Sequence, residues 1–249
     1  MKLNQLLKPL GIYVGKIKKN FIDPYYDLDS NRKAILELAN KYSMTGGPRL
    51  AQLIQAVDHI SKHKIKGDIV ECGVWRGGSM LAVAQTLILN NDTDRKLFLF
   101  DTYEGMNKPT IHDKNVKGID AIVKFDQLKF NDESSDYCYA DVDDVKKTIS
   151  LANYPKDNLN FIKGQVEKTL PNGSIGKIAL LRLDTDWYES TKHELIHLYD
   201  QLVSGGILII DDYGYWEGAK KAVDEFFDEK GINIFLGRID GTGRIAVKP

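Results

Sequence analysis

Four aspartates are the residues best suited to chemistry in this chain. Asp184 and Asp186 follow the apolar run 178–183, and Asp211 and Asp212 follow the apolar run 206–210. Each run reads as a buried parallel strand with carboxylates at its carboxyl end. Between them, residues 190–203 carry Leu195, Leu198, Tyr199 and Leu202 at helical spacing, and Gly205-Gly206 is expected to close that helix. A strand–helix–strand crossover sets its two strands parallel and side by side. Ligands of open parallel sheets lie beyond the carboxyl ends of strands, so the four carboxylates are expected to meet in one crevice. Carboxylates gathered in this way repel one another unless a proton or a cation intervenes, and all-oxygen ligation suits Mg²⁺, Ca²⁺ or Mn²⁺. Acids at strand ends also cap the following helix, a role open to Asp186. The doubled acid at Asp211-Asp212 is more than a cap requires.

A second chemical stretch is DIVECGVWRGGSM, residues 68–80. A short strand runs into a turn with Gly73, Gly77 and Gly78, and a helix continues from Ser79. Such a turn brings backbone N–H groups close to an anionic or carboxylate-bearing ligand at a helix N-terminus. The spacing is neither GxGxxG nor a Walker loop, which counts against a dinucleotide pyrophosphate and against NTP phosphates. The next strand, 96–101, ends in Asp101, where a nucleoside ribose is held in folds of this kind.

These residues need a scaffold, and the rest of the sequence supplies one. Residues 30–42 and 49–62 have helical periodicity and precede the first strand, so they are expected to cap the sheet edge or the ligand site. Residues 102–136 are polar and poor in strand pattern, which predicts a mobile loop near the site. A helix over 141–152, a strand over 158–164 and a helix over 217–230 follow the same reasoning. Residues 232–236 and 244–248 read as a terminal antiparallel hairpin around Asp240-Gly241-Thr242-Gly243. The count is about seven strands, mostly parallel, in one α/β core.

At 249 residues, with 34 Lys+Arg against 35 Asp+Glu, the chain has no charge bias toward nucleic acid or anionic membrane. Cys72 and Cys138 have no metal-binding or disulfide spacing, and a reducing cytoplasm fits them. No apolar run reaches the ~20 residues of a membrane helix. The basic N-terminus, with Lys2, Lys8, Lys16, Lys18 and Lys19, does not read as a signal peptide. It is expected to be a solvated extension that packs on a subunit or covers the pocket, with a membrane surface or an anionic partner as the alternative.

The order of elements resembles a class I S-adenosylmethionine-dependent methyltransferase, a Rossmann-like sheet with a C-terminal antiparallel hairpin strand. More narrowly, DIVECGVWRGGSM, LFLFDTYEGM, LLRLDTDWYEST and GGILIIDDYG resemble the macrocin O-methyltransferase family over residues 42–249. Members of that family methylate sugar hydroxyls of macrolides and aminocoumarins. The division implied is an N-terminal extension with cap helices, 1–65, and a cofactor-binding core, 66–249. The resemblance implies that Glu71, Gly73, Gly77 and Ser79 serve the methionine end of the cofactor, and that Asp101 holds its ribose. It further implies Met44 and Thr45 near the cofactor, Mg²⁺ on Asp184, Asp211 and Asp212 with Asp184 also at the cofactor, and Asp186 as the general base. The sequence departs from the family at Gly46-Gly47-Pro48, in the lid.

The expected activity is therefore methyl transfer to a sugar hydroxyl of a glycoside or polysaccharide precursor, in a cytoplasmic homodimer or larger homo-oligomer. A catechol or other vicinal diol as acceptor is an alternative, and a nucleotide-binding oxidoreductase is another. His112 in the expected loop is a rival base. His193 and His197, four apart on a helix, have metal-compatible spacing but are expected to face away from the site. Trp75, Trp187, Tyr188, Tyr213 and Trp216 could stack on adenine or a sugar face, or simply pack.

Overall fold

The computed structural model describes residues 23–249. The basic extension, with the role expected for it, lies outside the described residues. The chain runs α1 (Ser30–Ala39), α2 (Gly47–Lys62), β1 (Asp68–Cys72), α3 (Gly78–Leu89), β2 (Leu97–Asp101), α4 (Ala121–Leu128), α5 (Val142–Ser150) and β3 (Leu159–Lys163). It continues through α6 (Val166–Thr169), β4 (Ile178–Leu183), α7 (Tyr188–Leu198), β5 (Leu202–Ile210), α8 (Glu217–Lys230), β6 (Gly237–Arg238) and β7 (Arg244–Val247).

The seven strands form one sheet in the order β3-β2-β1-β4-β5-β7-β6. The first five are parallel, and β7 is antiparallel to both β5 and β6. Strand order reverses direction between β1 and β4, the switch point at which ligands of such sheets bind. Alternation along the strands divides the core. Ile69, Leu97, Leu99, Leu180, Ile207 and Ile209 face α2, α3 and α5, while Val70, Phe98, Phe100, Leu181, Leu208 and Ile210 face the helices α7 and α8.

Helix α2 belongs to the first of these layers, because Leu53, Ala56, Val57 and Ile60 sit at helical spacing and bury against β1, β4 and β5. Its N-terminal end, starting at Gly47-Pro48, brings Thr45 and Arg49 to the carboxyl edge of the sheet. Proline is suited to this first turn because the amide it lacks would have no partner there. Among the described residues, no helix is long and apolar enough to cross a membrane.

Three local expectations are corrected. The helix after Trp187 ends at Leu198, and Gly205-Gly206 lies inside β5, where a register shift against Ile178–Leu183 absorbs the extra residues. Residues 232–236 form no strand. Ile232, Ile234 and Leu236 instead pack onto the core, and pairing with β7 begins only at Gly237. Residues 102–136 are folded rather than loose. They contain α4, and Asp113, with 0% exposure, pins them down. Its Oδ2 accepts from the Thr110 amide at 2.6 Å, and its Oδ1 accepts from the Tyr188 amide at 2.7 Å. The first amides of α7 are therefore capped by an acid 75 residues away, and not by Asp186.

Candidate active site

The site is built from the ends of four strands. Glu71 and Arg182 are cross-strand neighbours, and Arg182 in turn pairs with Ile209. The ladder continues one residue past each strand end, with the Asp184 amide donating to Cys72 O at 2.8 Å and the Asp211 amide to Leu183 O at 2.9 Å. Period-two alternation therefore puts Glu71, Arg182, Asp184 and Asp211 on one face and sends Asp212 to the other. Gly73 follows β1 with φ 81, and a Cβ there would lie 2.0 Å from Asp184 O. Only glycine lets the ends of β1 and β4 come this close.

A cleft of about 410 Å³ opens at this edge, within the usual range for small-molecule sites. On one side Gly73, Val74, Trp75, Ser79 and Asp101 line it. Asp101 shapes this side from within: its Oδ2 accepts from the Val74 and Trp75 amides at 2.7 and 3.0 Å, and its Oδ1 accepts from the Tyr103 amide at 2.7 Å. Burial raises its pKa above the usual carboxylate range, and these amides pull the other way.

The aspartates line the adjoining part of the cleft, at the ends of β4 and β5. Asp184, Asp186 and Asp212 each offer an oxygen within 4.8 Å of the others. Burial pushes the Asp186 carboxyl up to about 7, and the charges of Asp184 and Asp211 add to the effect. Asp212 is driven well up by burial and then by Asp186 and Asp211, and its Oδ2 is buried without a hydrogen-bond partner. Asp184 is raised by burial, with the Arg182 guanidinium opposing the shift. Asp186 has φ 67, uncommon for a residue with a Cβ and typical of strain held at functional sites. Asp211 stands apart from the cluster: Arg182 Nη2 donates to its Oδ1 at 2.6 Å, and Arg49 Nη1 pairs with its Oδ2.

Of the residues expected from the sequence, Met44, Thr45, Gly73, Ser79, Asp101, Asp184, Asp186, Asp211 and Asp212 line the cleft. Glu71 and Gly77, also expected at the methionine end, lie just behind this lining. The Glu71 carboxylate is taken by Arg182 at 2.5 Å, beneath the surface, and burial pushes it up to about 7. Gly77, with φ 84, shapes the turn and faces Val145 and Ile149 of α5. His112 packs at a tilt on Tyr188 and meets Lys221 Nζ, and it does not line the cleft. His193 and His197 pack at a tilt on each other and likewise do not line it. Trp75 and Trp216 line the cleft, and Trp216 meets the buried Trp187 edge-to-face at 4.9 Å.

Two arginines that pair with the site's carboxylates escaped the sequence reading. Arg182 interrupts the otherwise apolar strand IALLRL, and a charge fully buried in a strand must be paired. That signal was available, although the identity of its partners was not. Arg49 gave no such signal.

The sequence profile of the Macrocin-O-methyltransferase (TylF) family matches residues 19–247. The chain belongs to this family. It is an O-methyltransferase with the S-adenosylmethionine-dependent fold of the class I enzymes. Its similarity to individual members is moderate. It is 32% identical over 202 residues to the 8-demethyl-8-(2,3-dimethoxy-alpha-L-rhamnosyl)-tetracenomycin-C 4'-O-methyltransferase of Streptomyces olivaceus, covering 81% of this chain and 74% of that one. It is 30% identical over 205 residues to the demethyldecarbamoylnovobiocin O-methyltransferase of Streptomyces niveus, covering 82% and 75%. Among solved structures, the O-methyltransferase NovP superposes with a TM-score of 0.74 at 27% identity, covering 83% of this chain and 82% of NovP.

Proposed function

We propose that this chain methylates a hydroxyl of a sugar-containing acceptor, a glycoside or a polysaccharide precursor, with Asp186 as general base and a divalent cation, Mg²⁺ by preference, on Asp184, Asp211 and Asp212. The observation that carries this reading is the convergence of Asp184, Asp186 and Asp212 in the same cleft as the glycine turn and Asp101. The acceptor class follows the relatives, whose names specify a rhamnosyl tetracenomycin and a novobiocin precursor. A cytoplasmic homodimer or larger homo-oligomer remains part of the proposal, on the family resemblance.

The donor set suits a hard divalent cation. It is all oxygen, its carboxylates repel one another, and the buried Asp212 Oδ2 lacks any partner. Asp184 and Asp212 already converge; Asp211 is engaged by two arginines, and each of its oxygens keeps a further lone pair. When bound, such an ion orients a sugar hydroxyl and lowers its pKa. Asp186 then accepts the hydroxyl proton, its carboxyl poised near neutral pH where a general base works best. The new O–CH₃ bond forms as the S–CH₃ bond breaks, leaving S-adenosylhomocysteine. Gly73, Ser79 and Asp101 would hold the donor and the aspartates the acceptor in one cleft, an arrangement that would let the hydroxyl oxygen be oriented toward the sulfonium methyl.

The test is calorimetric titration with S-adenosylhomocysteine and, separately, with Mg²⁺. Wild-type protein should bind both, and Asp184→Asn and Asp212→Asn should keep the first heat and lose the second. Asp186→Asn should retain Mg²⁺ yet lose methyl transfer to glycosides by roughly 10²–10⁴-fold. Unchanged Mg²⁺ binding in Asp184→Asn and Asp212→Asn, or full methyl transfer in chelator, would remove the cation from the mechanism. Turnover of catechols with none of glycosides would replace the acceptor class.

A further inference from the structure

Arg182 sits in a strand whose six residues are all buried, and its side chain is 3% exposed. An unpaired guanidinium there would cost several kcal/mol. It has four partners, on or beside four different elements. Nη1 lies 2.5 Å from Glu71 Oε1 on β1 and 2.7 Å from Asp184 Oδ2 at the end of β4. Nη2 lies 2.6 Å from Asp211 Oδ1 after β5 and 2.6 Å from Thr45 Oγ1 before α2. The contacts to Glu71, Thr45 and Asp211 are hydrogen bonds whose directions the planar fork fixes together, and Asp184 is held beside Nη1 as an ion pair; a lysine ammonium could not fix these directions.

Resting on the cation reading above, we infer that Arg182 is a positioning residue: it sets the angles at which Asp184 and Asp211 present their free lone pairs to the cleft, and it references those angles to β1 through Glu71. Arg182 does not line the cleft and so acts through the aspartates. Glu71 shares Nη1 with Asp184 and ties that arm of the fork to β1. Groups that orient ligating carboxylates typically change metal affinity or activity by 10–100-fold when altered.

Orientation can be told apart from mere charge or stability by comparing two cations. Mg²⁺ demands near-ideal octahedral geometry, whereas Ca²⁺ tolerates irregular sites. Mg²⁺ and Ca²⁺ affinities are to be measured by calorimetry on wild type, Arg182→Lys and Glu71→Gln, with folding verified by circular dichroism. Arg182→Lys, which keeps the charge, should lower the Mg²⁺/Ca²⁺ affinity ratio about tenfold or more, and Glu71→Gln about threefold. Equal weakening of both cations, or no change, in the folded variants would overturn the inference and leave the cation reading standing. Should Arg182→Lys fail to fold, Glu71→Gln decides alone. Wild-type protein that binds neither ion would remove the cation reading itself, and this inference with it.

Discussion

The two walls of the cleft are made in opposite ways. The wall of Gly73, Val74, Trp75 and Asp101 is fixed by backbone: a positive φ at Gly73, a contact with Asp184 O that admits no Cβ, and amides that satisfy the Asp101 carboxylate. On the adjoining wall, Asp184, Asp186, Asp211 and Asp212 are held by charge, with Arg182 and Arg49 offsetting part of the surplus. A donor common to many acceptors can be met by a rigid cradle. The aspartate wall carries mutual repulsion among buried carboxylates, a cost to stability. Substitutions on the two walls should therefore shift stability in opposite directions.

Gly73→Ala tests the rigid wall most severely. Its Cβ would meet Asp184 O at 2.0 Å in a left-handed conformation, so about 3 kcal/mol or more of stability should be lost. Urea denaturation should show a lower midpoint and calorimetry no binding of S-adenosylhomocysteine. A variant with the wild-type midpoint would mean that β1 and β4 can part without penalty.

Asp101→Ala and Asp212→Asn then set one aspartate from each wall side by side. Removing Asp101 strands the Val74, Trp75 and Tyr103 amides, at a cost of roughly 2 kcal/mol. Replacing Asp212 relieves repulsion from Asp186 and Asp211 and should instead add about 1 kcal/mol in metal-free buffer at pH 8, while Mg²⁺ binding disappears. Thermal melts of both variants suffice. Destabilisation of the same sign in both would erase the distinction between the walls.

Much of this contrast was legible in the chain. Apolar runs ending in Asp184 and Asp211-Asp212 announce strand ends and the acidic edge, because that signal is local. Glycine spacing after Cys72 likewise announced the turn. What stayed hidden depends on distant partners. Asp113 caps Tyr188 across 75 residues and thereby folds a stretch whose composition reads as loop. Alternation suggested that Ile232, Ile234 and Leu236 formed a strand, but a strand also requires a hydrogen-bonding neighbour, and β7 offers one only from Gly237 onward. For the same reason the acidic pairs could be seen and their division could not. Arg49, from a helix that precedes the sheet, claims Asp211 and leaves Asp186 with Asp184 and Asp212.

The smallest expected effect lies just behind the charged wall. Glu194 on α7 is fully buried; its Oε1 accepts from Thr185 Oγ1 at 2.9 Å, and its Oε2 has no partner. Burial raises its pKa well above the ordinary glutamate value, with the charges of Glu167 and Asp212 contributing. The folded protein therefore holds this proton to higher pH than the unfolded chain does. Its contribution to stability is complete below the unfolded pKa of about 4.3 and falls away as pH rises toward the folded value. Glu194→Gln keeps the acceptor for Thr185 and removes the ionisation. Its melting temperature should match wild type near pH 4 and exceed it at pH 8, by the equivalent of about 1 kcal/mol. Since Glu194 lies outside the cleft lining, S-adenosylhomocysteine affinity should be unchanged. A pH-independent difference would mean that folding does not change the protonation of Glu194 over this range, and the repulsion would then be confined to the aspartates themselves.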